Sequence, residues 1–242
     1  MNRGDRRELI FMDDADRQRF VETLGEVCAK TGWQVHAYVL MPNHFHVVVE
    51  TPQPNLVAGM KWLLGTYTSR FNRHHKLFGH LFSGRYKSLI VDGSGSGYLK
   101  SVGDDVDLNP ARAKLVVADA PLKSFAWSNW PAYLLAPSKR PAWLRVDRLL
   151  GAWGIPEDSP EGRQRLERAL EERRGAEELK LGQWQEADLK TRPKGDPVKV
   201  DLAARLRVET TMTVGWIAER LAMGTRGYPN HLVYRRRKLG GE

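Results

Sequence analysis

The 242-residue sequence holds a single cysteine, Cys28. One thiol excludes a disulfide framework and a cysteine-based zinc site within the chain, and a reducing compartment is its simplest home. No apolar run approaches the ~18 residues of a membrane-spanning helix, and no apolar signal-peptide core is present. The reading is therefore a cytoplasmic protein with no membrane partner. Acidic residues are in deficit: 29 Asp and Glu face 38 Lys and Arg, a formal charge of +9. That balance favours a polyanionic partner, nucleic acid before membrane, over a merely basic soluble protein. The glycine-rich run Asp92–Gly97 lacks the spacing and the lysine of a phosphate-binding loop. Hydrophobic residues make up 41% of the chain, enough for a packed core and too many for wholesale disorder.

Local patterns give an element order. Asp13 or Asp14 can cap a helix over residues 15–30, with Phe20, Leu24, Val27 and Cys28 as its buried stripe and Gly32 as its left-handed terminator. Residues 33–40 alternate as a strand, Met41-Pro42-Asn43 turns, and a second strand runs to Glu50. Asn55 can cap a helix over residues 56–76. Residues 78–91 read as a loop and a further strand. Its mixture of aromatics with Arg85 and Lys87 suits either single-stranded nucleic acid or an ordinary sheet edge with snorkelling cations. Ser96 can cap a helix over residues 98–108, which Pro110 should break or restart. Residues 123–133 read as an aromatic surface wrap and 137–141 as a linker. A charge-dense helix over 159–181 reads as a solvated face, and 190–199 as a second linker. In residues 201–242, Thr213 can cap a helix, Ala222–Thr225 turns, and a basic stretch ends in Arg235-Arg236-Arg237-Lys238. That is either a helix-turn-helix whose basic run contacts phosphates or a small helical cap with a basic tail.

The chemistry-bearing stretch is His44-Phe45-His46. Strand periodicity puts the two imidazoles on one face and Phe45 on the other, with Val47–Val49 extending a buried strand. Two adjacent imidazoles are ready nitrogen ligands for a divalent metal, or equally a chance pair of half-buried histidines.

Larger blocks surround that pair. They are Asn2-Arg3-Gly4-Asp5-Arg6-Arg7 with Ile10-Phe11, Tyr38–His46, Ser69-Arg70-Phe71-Asn72, Gly79–Lys87 and Leu108–Ala113. In this order they resemble the REP-associated tyrosine transposases, within the HUH single-strand DNA nucleases. The resemblance spans residues 2 to about 133. It implies an α+β fold: a ferredoxin-like antiparallel sheet with helices on one face, followed here by a C-terminal all-α helix-turn-helix-like segment. The domains expected are a transposase-like HUH domain over 1–135, a linker and charged helical region over 136–200, and a DNA-binding segment over 201–242.

Carried over residue by residue, the resemblance makes His44, His46 and Asn109 the ligands of Mg²⁺ or Mn²⁺. The partner is single-stranded, hairpin-containing DNA, met by Arg3, Arg6, Arg7, Arg70, Arg85, Lys87 and Arg112, with Arg235, Arg236 and Arg237 in the tail; the protein is a monomer or a two-fold homodimer. In the family a tyrosine hydroxyl attacks the scissile phosphate, leaving a 5′-phosphotyrosine and a free 3′-hydroxyl. That tyrosine stands four residues before the asparagine, one helical turn away, so both face the metal. Here the position holds Asp105. A carboxylate adds charge beside the phosphate and its acyl-phosphate would hydrolyse. Asp105 is thus an added metal ligand or the mark of a lost nucleophile, and Asp104-Asp105-Val106-Asp107 sets three carboxylates near the phosphate. Tyr98, two turns back and about 10 Å away, reads as structural. The family strand that leads into Asn-Arg-Gly is missing, which would expose a sheet edge or leave a gap. The expected function is a transposase-like protein that binds, and ancestrally cleaves and rejoins, hairpin DNA in transposition or REP-element processing, with covalent cleavage impaired. The alternatives are a non-catalytic DNA-binding repressor and a metal-dependent hydrolase using water with Asp105 as base.

Overall fold

The computed structural model describes residues 1–91, 97–116, 120–182, 190–197, 199–200, 203, 214–225 and 231. The chain forms two compact units, Met1–Arg174 and Gly175–Glu242.

The first unit is built on a three-stranded antiparallel sheet in the order β1-β3-β2, with β1 Asn2–Arg3, β2 Gln34–Met41 and β3 His44–Glu50. The expected α+β class holds. β2 and β3 form the expected hairpin, Met41 opposite His44 and Val39 opposite His46. The register shifts between Val35 and Ala37, leaving His36 as a bulge. The extra residue returns Val35 to the face of Tyr38 and Leu40, while Ala37, Val39 and Met41 occupy the other.

Helix α1, Asp14–Thr31, begins where expected. Asp13 accepts from the Asp16 N–H, and Gly32 closes the helix at φ 73°. Its stripe of Phe20, Leu24, Val27 and Cys28 is buried as read. Helix α2, Leu56–His75, packs beside it. Asn55 holds the N-cap position but does not cap: its side chain accepts from the Trp33 indole N–H at 2.7 Å and donates to the Thr31 carbonyl at 2.9 Å. Phe11, Phe20, Tyr67, Phe71 and Phe82 join Phe45 under the sheet, with the Phe20 and Phe45 rings 4.6 Å apart. The expected layer of helices on one face thus holds for α1 and α2. A third helix, α3 (Tyr98–Asp107), lies on the other face, its Val106 packed against Ala37, Val39 and Met41. Covered on both sides, β2 is buried along seven of its eight residues.

Several irregular segments differ from expectation. Residues 83–91 form no strand. They run beside β1 instead, through Asp5 N–H to Leu81 O, Ser83 N–H to Arg3 O and Lys87 N–H to Met1 O. The short edge strand β1 is therefore covered, not exposed. Residues 123–133 are not a surface wrap. Asn129, Trp130 and Tyr133 are buried, Leu40 N–H donates to Trp127 O, and Asn129 bonds the Tyr38 backbone from both its own backbone and its side chain. This segment seals the outer edge of β2. Arg140, read within a linker, is ion-paired with Asp158 and donates to the carbonyls of Tyr133 and Leu135. Val47–Val49 are half-buried, less than a fully buried strand.

Beyond the short helix α4 (Asn109–Arg112), helices α5 (Trp130–Tyr133), α6 (Asp147–Ala152) and α7 (Pro160–Gly182) follow. α7 is not merely a solvated face. Leu166 and Leu170 enter the core, Lys123 pairs with Glu167 at 3.0 Å, Glu171 accepts from Leu122 N–H at 2.6 Å, and Arg173 pairs with Asp104.

In the second unit the helix Val214–Arg220 stands where one was expected, followed by a turn with Gly224 at φ 87°. Ile217, Ala218, Leu221 and Met223 are buried. Thr213, Ser96 and the basic run Arg235–Lys238 lie outside the described residues.

Candidate metal and DNA site on the sheet

β3 carries both histidines on the face it shares with Met41 and Val39, their cross-strand neighbours. The rings lie 5.2 Å apart and nearly perpendicular, at 76°. Phe45 points the other way into the aromatic core, so the core fixes the orientation of the pair. β1 adds Arg3 opposite His44 on the same face. Gly4 follows at a place where only glycine fits: a Cβ would lie 2.2 Å from the Glu8 carbonyl oxygen. Its N–H donates to Asn43 O at 2.9 Å, tying the Asn-Arg-Gly segment to the turn before His44.

Electrostatics keep both rings neutral. Burial, then the nearby Arg3, pushes His44 down to about 4; burial, then His44 itself, pushes His46 to about 3. Asn43 sets the tautomer of His44. Its amide nitrogen donates to Arg7 O at 3.3 Å, which turns its oxygen to His44 Nδ1 at 2.7 Å. Nδ1 therefore carries the proton and Nε2 keeps its lone pair, the arrangement a metal-bound histidine has. Arg3 holds a buried Nε–H with no hydrogen-bond partner among the described atoms, the kind of donor an anion would satisfy. The donor set thus fits a divalent ion bound next to a phosphate.

The α3 carboxylates are shared out rather than massed. Asp104 and Asp107, three apart, are buried: Asp104 pairs with Arg173, and Asp107 accepts from Asn129 Nδ2 at 2.7 Å. Burial pushes Asp104 up to about 6, against the pull of Arg173, and Asp107 up to about 8. Only Asp105 is partly open, and it accepts from Arg112 Nη1 at 2.9 Å. Those two residues are seven apart, so the bond requires one helical face running from α3 into α4 across Pro110. Asn109, half-buried at the start of α4, sits between them on that row.

The remaining expected DNA contacts are spread out. Arg6 and Arg7 are exposed on the turn after β1, at φ 48° and 67°. Arg85 and Lys87 are exposed in the segment alongside β1. Arg70 is not with them: it grips Glu26 at 2.8 and 3.0 Å and Thr23 at 2.8 Å, between α2 and α1. Arg235, Arg236 and Arg237 lie outside the described residues.

Sequence reading missed the roles of Asn43 and Asn129. It also missed a second group, Asp13, Asp16, His74 and His75, whose ligand atoms all lie within 4.8 Å of one another. Its members come from opposite ends of two helices, so no fixed spacing announces them.

Residues 1–101 match the family model described as "Transposase IS200 like". The match contains His44 and His46 and stops inside α3, before Asp105 and Asn109. No curated protein and no solved structure matches the chain.

Proposed function

We propose that residues 1–101, which match the IS200-like transposase family model, act as a transposase-like domain, and that the protein engages single-stranded, hairpin-containing DNA at the histidine face without completing covalent cleavage. The family processes DNA and uses a divalent metal. In this reading His44, His46 and Asn109 hold Mg²⁺ or Mn²⁺, which when bound supplies Lewis-acid polarisation of a phosphate oxygen. Arg3 offers its buried Nε–H to the same phosphate, and Met41, Val39 and α3 wall the face against water. Arg6, Arg7, Arg85 and Lys87 track the backbone on either side of β1. Arginines of the C-terminal segment, Arg235–Arg237, add phosphate contacts through a helix-turn-helix-like element.

One observation supports the loss of covalent chemistry: the carboxylate of Asp105, which in this reading stands at the nucleophile position, is held by Arg112 at 2.9 Å. A tyrosine hydroxyl would attack phosphorus, break the bond to the 3′-oxygen and keep the 5′-phosphate. A carboxylate already engaged by arginine offers neither a durable phosphoryl acceptor nor a free base for water.

The test uses a hairpin oligonucleotide with a single-stranded flank and Mn²⁺. The wild-type protein is expected to bind it and to form no adduct stable in denaturing gels. Asp105→Tyr is expected to yield the 5′-phosphotyrosyl adduct. A wild-type adduct, or strand cleavage without one, overturns the proposal. A folded Asp105→Tyr variant that forms no adduct would show that more than the nucleophile has been lost.

A further inference from the structure

The group Asp13, Asp16, His74 and His75 lies on the other face of the sheet from His44 and His46, where the start of α1 meets the end of α2. We propose that these four side chains form a second, structural metal site for a borderline divalent ion of the zinc type.

The four ligand atoms lie within 4.8 Å of one another, a spread from which small side-chain shifts reach a coordination shell. His75 Nε2 lies 2.8 Å from Asp16 Oδ2, and His74 Nε2 lies 3.5 Å from Asp13 Oδ2. Ligand bonds of about 2.0–2.1 Å give tetrahedral edges of about 3.3 Å. The two rings are 4.5 Å apart at 69°, and Phe71 lies 4.6 Å from the His75 ring, so both nitrogens are aimed by packing. Asp13 is steadied by capping α1 through its other oxygen, which accepts from Asp16 N–H at 2.8 Å.

Two plain ion pairs would leave one thing unexplained. Asp16 is fully buried; its Oδ2 faces His75 and accepts from Met12 N–H at 2.9 Å, while its Oδ1 has no hydrogen-bond partner among the described residues, Arg19 Nη1 standing 3.8 Å away. An orphaned buried carboxylate oxygen is costly, and a cation within the group offsets that cost. Two imidazole nitrogens with two carboxylate oxygens favour zinc-like ions over Mg²⁺, which prefers an all-oxygen octahedron. Each histidine would bind as the neutral imidazole, with its lone pair on Nε2 and its ring proton on Nδ1. The ion would tie the start of α1 to the end of α2, which no covalent link does.

This proposal is independent of the histidine pair on β3, and its experiment removes that pair. The full-length His44→Ala/His46→Ala protein is titrated with Zn²⁺ by calorimetry and with Co²⁺ by visible absorption. One equivalent of Zn²⁺, a four-coordinate Co²⁺ band and a Zn²⁺-dependent rise in Tm are expected. Adding His74→Gln, at a partly exposed side chain, should abolish the band and weaken Zn²⁺ by more than ~100-fold, beyond what loss of an outer-shell partner costs. In the otherwise wild-type protein, which controls for folding, His74→Gln should remove one bound equivalent. No Zn²⁺ binding to the His44→Ala/His46→Ala protein while it retains a cooperative melt, or binding unchanged by His74→Gln in either background, would overturn the proposal.

Discussion

His36 shows how one inserted residue connects register, burial and pH. It is the bulge that turns Val35 toward the main core, and it is itself buried, with Nε2 3.1 Å from Glu50. Burial lowers its pKa below the ordinary histidine value, more than the neighbouring Glu50 raises it. A depressed folded-state pKa contributes stability that is whole above the unfolded value, about 6.5, and is lost as pH falls through the folded one. His44 and His46 add to the same trend. The urea midpoint of the wild type should therefore fall between pH 7.5 and pH 5, and His36→Gln should shrink that fall without removing it. An identical fall in the variant would mean that His36 does not titrate with unfolding. Cys28 is the opposite case. Burial pushes its thiol up to about 12, so alkylation at pH 8 should wait for unfolding, as time courses with iodoacetamide in buffer and in urea would show.

At the scale of elements, α1 was legible in full because its information is local: cap, stripe and terminator all lie within its own residues. α2 was legible in extent but not at its start. Asn55 has a cap residue's identity, yet its side chain serves Trp33 and Thr31. The same indole explains Gly59, where a Cβ would come within 2.2 Å of the Trp33 ring. Gly59→Ala gains up to about 1 kcal/mol of helix propensity, but overpacking costs about 1–3 kcal/mol. A net destabilisation of about 1–2 kcal/mol in chemical denaturation is expected from those two opposing ranges. A stabilised variant would mean that α2 and Trp33 can separate freely. The strand read into residues 78–91 failed for the converse reason. Its composition suits a strand, but the strand it runs beside is two-residue β1, too short to sustain a ladder.

At the scale of the whole molecule, the small sheet depends on distant chain. Residues 127–129 and Leu144 close the outer edge of β2, and Trp130, Tyr133, Leu149, Leu150, Leu166 and Leu170 complete the core. Each such buried side chain contributes about 2–5 kcal/mol, and a domain has about 5–15 kcal/mol in total. A fragment of residues 1–174 should therefore melt cooperatively, whereas residues 1–121, which retain the whole matched family segment, should not. Calorimetry of the two fragments decides this. The charge of +9 belongs to the same scale. If Arg235–Arg237 touch phosphates, replacing all three with alanine should weaken DNA binding and flatten the log–log salt slope by about 2, at about 0.7 per contact on a single strand. An unchanged slope would place that tail off the DNA.

The sequence alone determined the helix–strand–strand–helix order, the shared face of His44 and His46, and the asparagine–glycine–proline punctuation around them. These follow from periodicity and from backbone preferences that act within a few residues. Tertiary structure alone decided what lies on each face of the sheet, because burial depends on partners far away in the chain. It set α3 over the histidines, distributed Asp104, Asp105 and Asp107 to Arg173, Arg112 and Asn129, and turned an apparent aromatic wrap into the closing edge of β2. It also brought Asp13 and Asp16 to His74 and His75 across some sixty residues. No local pattern encodes that meeting, since it exists only when α1 and α2 pack side by side.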